Sequence, residues 1–342
     1  MKINNIRDKK VLLRVDFNVP IKDNLILDDK KIKETLPTIN LLLKNNNKII
    51  IITHLGRPDG NIDKNLVVNP LIERLELLLL NKKIVKIHIY DKNINLKSGE
   101  IFMFENIRFF KQEEENDENF SRELSKYGEV YVNDAFGVSH REHASITGIQ
   151  KYLPSFKGLL INEEVKNLKK LNNPKKPFVL IIGGKKLDKL NTINKILPKV
   201  DSILIGSYFE KYFSDEKNKI TKEIKEKCKD KNINLILPDK NEIYDIQENT
   251  IKKFKDFLKD AKTIFWNGPL GYYEKDEYSK GTISIMKFIS KLDADIILGG
   301  GELGSIYNST IKGNKKIYVS TGGGATLKFI EEGNLIGIKN LD

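Results

Sequence analysis

Lys48-Ile49-Ile50-Ile51-Ile52-Thr53-His54-Leu55-Gly56-Arg57 is the stretch whose reading decides the fold. An unbroken apolar run of β-branched residues reads as a strand buried on both faces, which is what a parallel sheet requires. The run stops abruptly in histidine, glycine and arginine. Similar apolar runs fall at 11–19, 100–107 and 129–136 in the first half of the chain, and at 178–182, 202–205, 233–237, 263–266, 294–298 and 316–319 in the second. Helix-like segments follow them, the pattern of βα units feeding parallel sheets. Asn69 and Pro70 open one such helix, with Leu71, Leu75, Leu78 and Leu79 as its buried stripe. Pro37 lies inside a helical stretch at 30–44, so that helix should start near the proline or kink there.

A chain of 342 residues exceeds one comfortable core and implies two domains. Asn172, Asn173, Pro174 and Pro177 punctuate the segment 168–177, which places the boundary between a lobe at 1–168 and a lobe at 169–342. The expected fold class is α/β, two lobes, each a parallel sheet flanked by helices. The net charge of +12 comes from lysines scattered among asparagine and isoleucine, without a basic tail or an aromatic-interleaved basic stripe, so nucleic acid is not the expected partner. Cys228 is the only cysteine, which excludes an internal disulfide and a cysteine zinc site. No stretch approaches a membrane span, and the polar start of the chain leads into an apolar run too short for a signal peptide; the cytoplasm is the expected location.

In open parallel sheets ligands bind beyond the carboxyl ends of the strands. Along the first half those ends carry Asp16 and Asn18, then His54 and Arg57, then Arg108, then Asn133 and Asp134 with His140, Arg141 and His143 just beyond. One arginine alone would read as a surface ion pair, but three at successive strand ends describe a pocket for a small polyanion. The histidines read as donors in that pocket rather than zinc ligands. Along the second half the ends are Gly183-Gly184, Gly299-Gly300-Gly301 and Gly322-Gly323-Gly324, loops that can bring bare amides to a phosphate at a helix N-terminus. Gly299, Gly301 and Gly304 fit the dinucleotide spacing, but the next run ends at Ser320-Thr321 rather than at an acidic residue.

Six motifs spread from the first strand to the last resemble phosphoglycerate kinases: Arg14-Val15-Asp16-Phe17-Asn18-Val19-Pro20, Thr53-His54-Leu55-Gly56-Arg57-Pro58, Glu105-Asn106-Ile107-Arg108-Phe109, Val132-Asn133-Asp134-Ala135-Phe136-Gly137, Trp266-Asn267-Gly268-Pro269 and Ser320-Thr321-Gly322-Gly323-Gly324-Ala325. The resemblance implies a hinged cleft between the lobes, a C-terminal tail that can return to the first lobe, and a monomer. It implies reversible phosphoryl transfer between 1,3-bisphosphoglycerate and ADP, giving 3-phosphoglycerate and ATP, with Mg2+ as cofactor. Asp16, Asn18, Lys31, His54, Arg57, Arg108 and Arg141 would bind the glycerate phosphate. Lys186, Lys189, Glu274, Gly300, Gly301, Glu302 and Leu303 would bind the nucleotide, with Glu302 at the metal. Lys31, Lys186, Gly301 and Gly324 would serve catalysis.

The departures are specific. Lys31 stands where the family carries an arginine, the loop at 184–189 is one residue short, Glu302 replaces an aspartate and Leu303 a small hydroxyl residue. Gly206-Ser207-Tyr208-Phe209 replaces a glycine-rich turn, and the region from there to Asp239 is shortened. These departures motivate one alternative, a weak or inactive relative that binds metabolites or a partner.

Overall fold

The computed structural model describes residues 2–80, 82–89, 91, 97–311 and 317–342. The chain forms two compact units, Met1–Glu164 with Asn334–Asp342, and Val165–Gly333. The first contains β1 (Lys10–Arg14), a ribbon of β2 (Ile21–Lys22) and β3 (Leu25–Ile26), α1 (Lys30–Lys44), β4 (Lys48–Ile52), α2 (Asn69–Leu78), β5 (Ile84–Ile87), β6 (Ile101–Phe104), α3 (Lys111–Glu114), α4 (Glu118–Ser125), β7 (Val130–Asn133), β8 (Ser155–Lys157) and the start of α5 (Leu159–Leu168). Its sheet runs β5-β6-β4-β1-β7-β8, parallel throughout.

Alternation of side chains across the pleat divides this sheet between two cores. Val11, Leu13, Ile49, Ile51, Met103 and Val132 face the cluster that α1 and α2 cover with Ile32, Ile39, Leu42, Leu71 and Leu75. Leu12, Ile50, Ile52, Phe104 and Tyr131 face the other, closed by Phe120 and Leu124 of α4 and by Leu341. Four isoleucines in a row are thus used on both sides, which explains the unbroken apolar run. Helix α1 continues through Pro37 from Lys30 to Lys44. In α2, Val68 is the capping position and Pro70 falls in the first turn; Leu71 and Leu75 are buried, Leu78 and Leu79 half-buried.

The second unit contains β9 (Phe178–Ile182), α6 (Asp188–Ile196), β10 (Ser202–Ile205), α7 (Ser207–Ser214), α8 (Lys219–Asp230), β11 (Asn234–Ile236), α9 (Glu248–Leu258), β12 (Thr263–Asn267), α10 (Lys280–Ile289), β13 (Asp295–Gly299), α11 (Gly301–Thr310), β14 (Ile317–Ser320) and α12 (Gly323–Glu332). Its parallel order is β11-β10-β9-β12-β13-β14, so the winding reverses between β9 and β12. Val179, Ile181, Leu204, Trp266 and Leu298 pack against α9, α10 and α11. The strand expected at 316–319 is β14; its first residue, Lys316, lies outside the described residues. Among the described residues no helix is long and apolar enough to cross a membrane.

Helix α12 ends at Gly333, whose φ of 76° is the left-handed cap, and the chain then returns to the first unit. There the Asn133 amide donates to the Gly337 carbonyl at 3.0 Å. Next to it, Asp134 holds the start of α5: its Oδ1 accepts from the Ile161 N–H at 3.2 Å, while Oδ2 is buried with no hydrogen-bond partner among the described residues. Burial pushes the Asp134 carboxyl up to about 7, with the Thr38 and Ile161 donors offsetting part of the shift. Its ordinary value is about 4. The neutral form therefore stabilises the fold fully below about pH 4, and that contribution is lost as pH rises toward 7. Asp134→Asn should gain stability relative to the natural chain across that window, by a few kcal/mol at most, in urea melts from pH 4 to 8. A pH-independent difference between the two proteins would contradict the burial argument.

Candidate active site

Strand register assembles the edge of the first sheet. Arg14 pairs with Ile52 on one side and Asn133 on the other, so the residues that follow each strand emerge side by side. Asp16 accepts from the Lys31 ammonium at 2.9 Å and from the Asn18 N–H at 3.2 Å. Asn18 in turn accepts from the Gly56 N–H at 3.0 Å, and the Gly56 carbonyl accepts from Arg108 Nη1 at 2.8 Å. Gly56 is where these segments meet. Its φ is 63°, a left-handed backbone that favours glycine, and a Cβ there would lie 2.7 Å from the Leu66 side chain, which would have to give way.

The edge is dense in positive charge. Arg108 is almost fully buried, 3.3 Å from Glu114, and burial followed by repulsion from Arg14 pushes it down to about 10. Arg141 also acts on it, and the Arg141 Nε is buried with no hydrogen-bond partner among the described residues. His54 is buried and held well below the usual histidine range, first by burial and then by Arg14, Arg108 and Lys31, so its ring is neutral at pH 7. Arg57 is exposed at the rim, and its side chain makes no ion pair among the described residues. The structure thus gathers Asp16, Asn18, Lys31, His54 and Arg108 in one contact network, Arg141 beside it. Lys31 points at Asp16 rather than into solvent.

Beneath this edge lies a network that the sequence does not announce. Arg14 and Glu113 are both fully buried, joined through Ser145, whose hydroxyl accepts from Arg14 Nε at 2.7 Å and donates to Glu113 Oε1 at 2.7 Å. His143 Nδ1 lies 3.6 Å from Glu113 Oε1, longer than a hydrogen bond. Burial pushes the Glu113 carboxyl up, but His143, Arg14 and Ser145 outweigh it and hold the group below the usual range. Glu113 is the anion that balances the buried guanidinium. In the sequence it sits in the run Glu113-Glu114-Glu115 and reads as one more solvated acid.

The edge of the second sheet is a cavity of about 750 Å³ at the reversal between β9 and β12. Asn267 pairs in register with Ile182 and with Gly299, so Gly183, Gly268 and Gly300 follow one step beyond. A Cβ on Gly183 would lie 2.1 Å from the Pro269 carbonyl oxygen. Gly300 and Gly323 face each other across the N-termini of α11 and α12, while Gly301 and Gly324 have nothing within 4 Å on their side-chain side. Asn267 is buried, donates to the Gly299 carbonyl at 3.0 Å, and keeps its Oδ1 without a hydrogen-bond partner among the described residues.

The three loop lysines separate cleanly. Lys189 donates to the Gly183 carbonyl at 3.0 Å. Lys185 lies 3.5 Å from Glu274 and 3.7 Å from the centre of the Tyr272 ring. Lys186 is exposed on the cavity wall. Glu302, in the first turn of α11, lines the same cavity, and Leu303 is buried in the core behind it. The Tyr273 hydroxyl is pushed up by burial and then by Glu302 and Glu274, and all three residues line the cavity. Positive loops and open amides beside a helix N-terminus suit phosphate.

A family model described as phosphoglycerate kinase matches residues 1–237 and 211–333. The chain belongs to the phosphoglycerate kinase family. It is similar to a phosphoglycerate kinase from Finegoldia magna, 37% identical over 388 aligned positions that cover 100% of this chain and 98% of that protein. It is likewise 37% identical to one from Clostridium kluyveri, covering 99% of this chain and 97% of that protein. The solved phosphoglycerate kinase of Coxiella burnetii superposes with a TM-score of 0.88 at 30% identity, covering 99% of this chain and 98% of that one. That of Pyrococcus horikoshii gives 0.85 at 28%, covering 98% and 96%.

The contact that closes the second edge is directly testable. Gly183→Ala should lower unfolding stability by about 1–3 kcal/mol or more, because the methyl group meets backbone that has no room to move. Urea denaturation measures this, and an unchanged midpoint would show that the loop after β9 is looser than described.

Proposed function

We propose that this chain catalyses reversible phosphoryl transfer between 1,3-bisphosphoglycerate and ADP, giving 3-phosphoglycerate and ATP. The observation that carries the reading is the cation network around Asp16, Lys31, His54, Arg108 and Arg141 at one sheet edge, in a chain that belongs to this family along its full length. Lys31, His54, Arg57, Arg108 and Arg141 supply donors and charge for the phosphate and carboxyl group of glycerate phosphate. Asp16 and Asn18 supply the acceptors that its hydroxyl needs.

The second edge takes the nucleotide. The amides of Gly300, Gly301, Leu303 and Gly324 sit at the N-termini of α11 and α12, where they favour phosphate, with Lys186 and Lys189 beside them and Glu274 toward the ribose. Glu302 fits a magnesium site: it is a hard oxygen donor on the cavity wall, and Mg2+ is commonly held by one or two carboxylates together with substrate phosphates rather than by a protein cage. When bound, Mg2+ neutralises phosphate charge. Transfer needs no dedicated general base, because the acceptor is an ionised carboxylate or a nucleotide phosphate oxygen. Cations and amides suffice to orient the groups and stabilise the transferring charge. The scattered lysine charge argues against a nucleic-acid partner and the lone, buried Cys228 suits a cytoplasmic setting, while family membership supports a monomer.

A coupled assay with 3-phosphoglycerate, ATP and Mg2+ should give turnover on the order of 1–100 per second, the range of kinases. Exchange no faster than that of a protein carrying Arg57→Ala and Arg141→Ala would overturn the reading. Lys31 offers a sharper test. Its ammonium is a point charge where a guanidinium could meet two oxygens at once. Lys31→Ala should slow turnover about 10²- to 10³-fold, and Lys31→Arg should equal or exceed the natural chain. Equal rates for all three would remove Lys31 from the reaction. Glu302→Ala should raise the Mg2+ concentration needed for half-maximal rate, and an unchanged titration would place the metal on another group.

A further inference from the structure

Arg14 closes β1 yet is fully buried, and each of its nitrogens has a separate partner. Nε donates to the Ser145 hydroxyl at 2.7 Å and Nη1 to the Val15 carbonyl. Nη2 lies 3.4 Å from His54 Nδ1 and 4.0 Å from Glu113 Oε1. The contact with His54 Nδ1 has a chemical consequence, because a guanidinium has donors and no acceptor. Nδ1 must therefore present its lone pair, and a neutral ring with Nδ1 unprotonated carries its proton on Nε2.

We infer that Arg14 is a positioning residue that fixes the tautomer of His54, leaving Nε2–H as the donor available to a bound phosphate or carboxylate. The inference rests on the reading of this edge as the glycerate-phosphate site. Without Arg14 a neutral imidazole exchanges between tautomers, and the form protonated on Nδ1 would turn a lone pair toward the anion. Besides burial, Arg14 from β1, Arg108 beyond β6, Lys31 from α1 and His143 beyond β7 act on His54, and each of them disfavours a second proton on the ring. Glu113 and Ser145 belong to the same device. They hold the guanidinium in the plane that aims Nη2 at the imidazole, and the Tyr131 hydroxyl donates to the Ser145 carbonyl at 2.8 Å to fix that segment in turn. A lysine at position 14 would keep the charge but not three directed bonds.

The test reads the ring directly. The full chain, labelled with 15N-histidine, has four histidines, and a His54→Gln sample identifies the His54 signals. In the natural chain at pH 7, His54 should show an unprotonated Nδ1 and a protonated Nε2. A His54 that is protonated on Nδ1, or charged, in the natural chain overturns the inference without any further variant. Arg14→Met would strand Glu113, so it is combined with Glu113→Gln to remove both buried charges together. In that double variant the tautomers should mix and the titration midpoint should rise. KM for 3-phosphoglycerate should increase by about tenfold or more, the scale of a lost hydrogen bond to a charged group, with kcat changed less. Unchanged His54 shifts in the folded double variant overturn the inference. A natural chain with the stated tautomer that fails to bind 3-phosphoglycerate would instead overturn the functional reading while leaving the role of Arg14 in place.

Discussion

Parallel pairing in register is the constraint on which the rest of this protein depends. Because every strand of a sheet runs the same way, the chain leaves all of them at one edge, and residues distant in sequence arrive as neighbours. Arg14 opposite Ile52 and Asn133 delivers Asp16 and His54 to one line, with Asp134 one step short of it. Asn267 opposite Ile182 and Gly299 delivers Gly183, Gly268 and Gly300 to another. A slip of one residue would invert the side chains across the pleat. It would also exchange the two cores on either side of the first sheet. The same packing that makes the fold cooperative therefore fixes the edges.

Concentrating cations at one edge is electrostatically costly, and the structure offsets that cost locally. Glu113 balances the buried Arg14, Asp16 receives Lys31, and Glu114 lies against Arg108. His54 remains neutral because burial and three cations oppose a further charge. Arg57 and Arg141 are left uncompensated by ion pairs among the described residues, which leaves attraction for an incoming anion. At the second edge the charge is more dilute, and backbone amides take over from side chains.

The strands at Phe178–Ile182 and Ser202–Ile205 are legible in the sequence to the residue, because continuous apolar runs leave little choice of period. The strand at Ile84–Ile87 escapes such a reading since Val85 and Lys86 are exposed and break the run, and Ser155–Lys157 is too short to show a pattern. The ribbon at Ile21–Lys22 and Leu25–Ile26 escapes it too, with two residues per strand. Cations at strand ends are equally legible as positions, since sequence alone shows where a run stops. Their partners are not. Nothing in a run of three glutamates separates buried Glu113 from its exposed neighbour Glu115, because the difference lies in contacts with Ser145 and Arg14 from other segments. The shortened lysine loop is ambiguous for the same reason: only the folded positions of Gly183 and Glu274 separate Lys189 from Lys185.

The proposed division of two ligands between two sheet edges is tested most directly by chemical-shift mapping of the intact chain. Titration with 3-phosphoglycerate should move the resonances of Asp16, Lys31, His54 and Arg141 and leave Gly183, Asn267 and Gly300 in place. Titration with ATP and Mg2+ should do the reverse. If both ligands moved the same set, or if 3-phosphoglycerate moved the glycine loops alone, the assignment of cations to one substrate and amides to the other would be wrong.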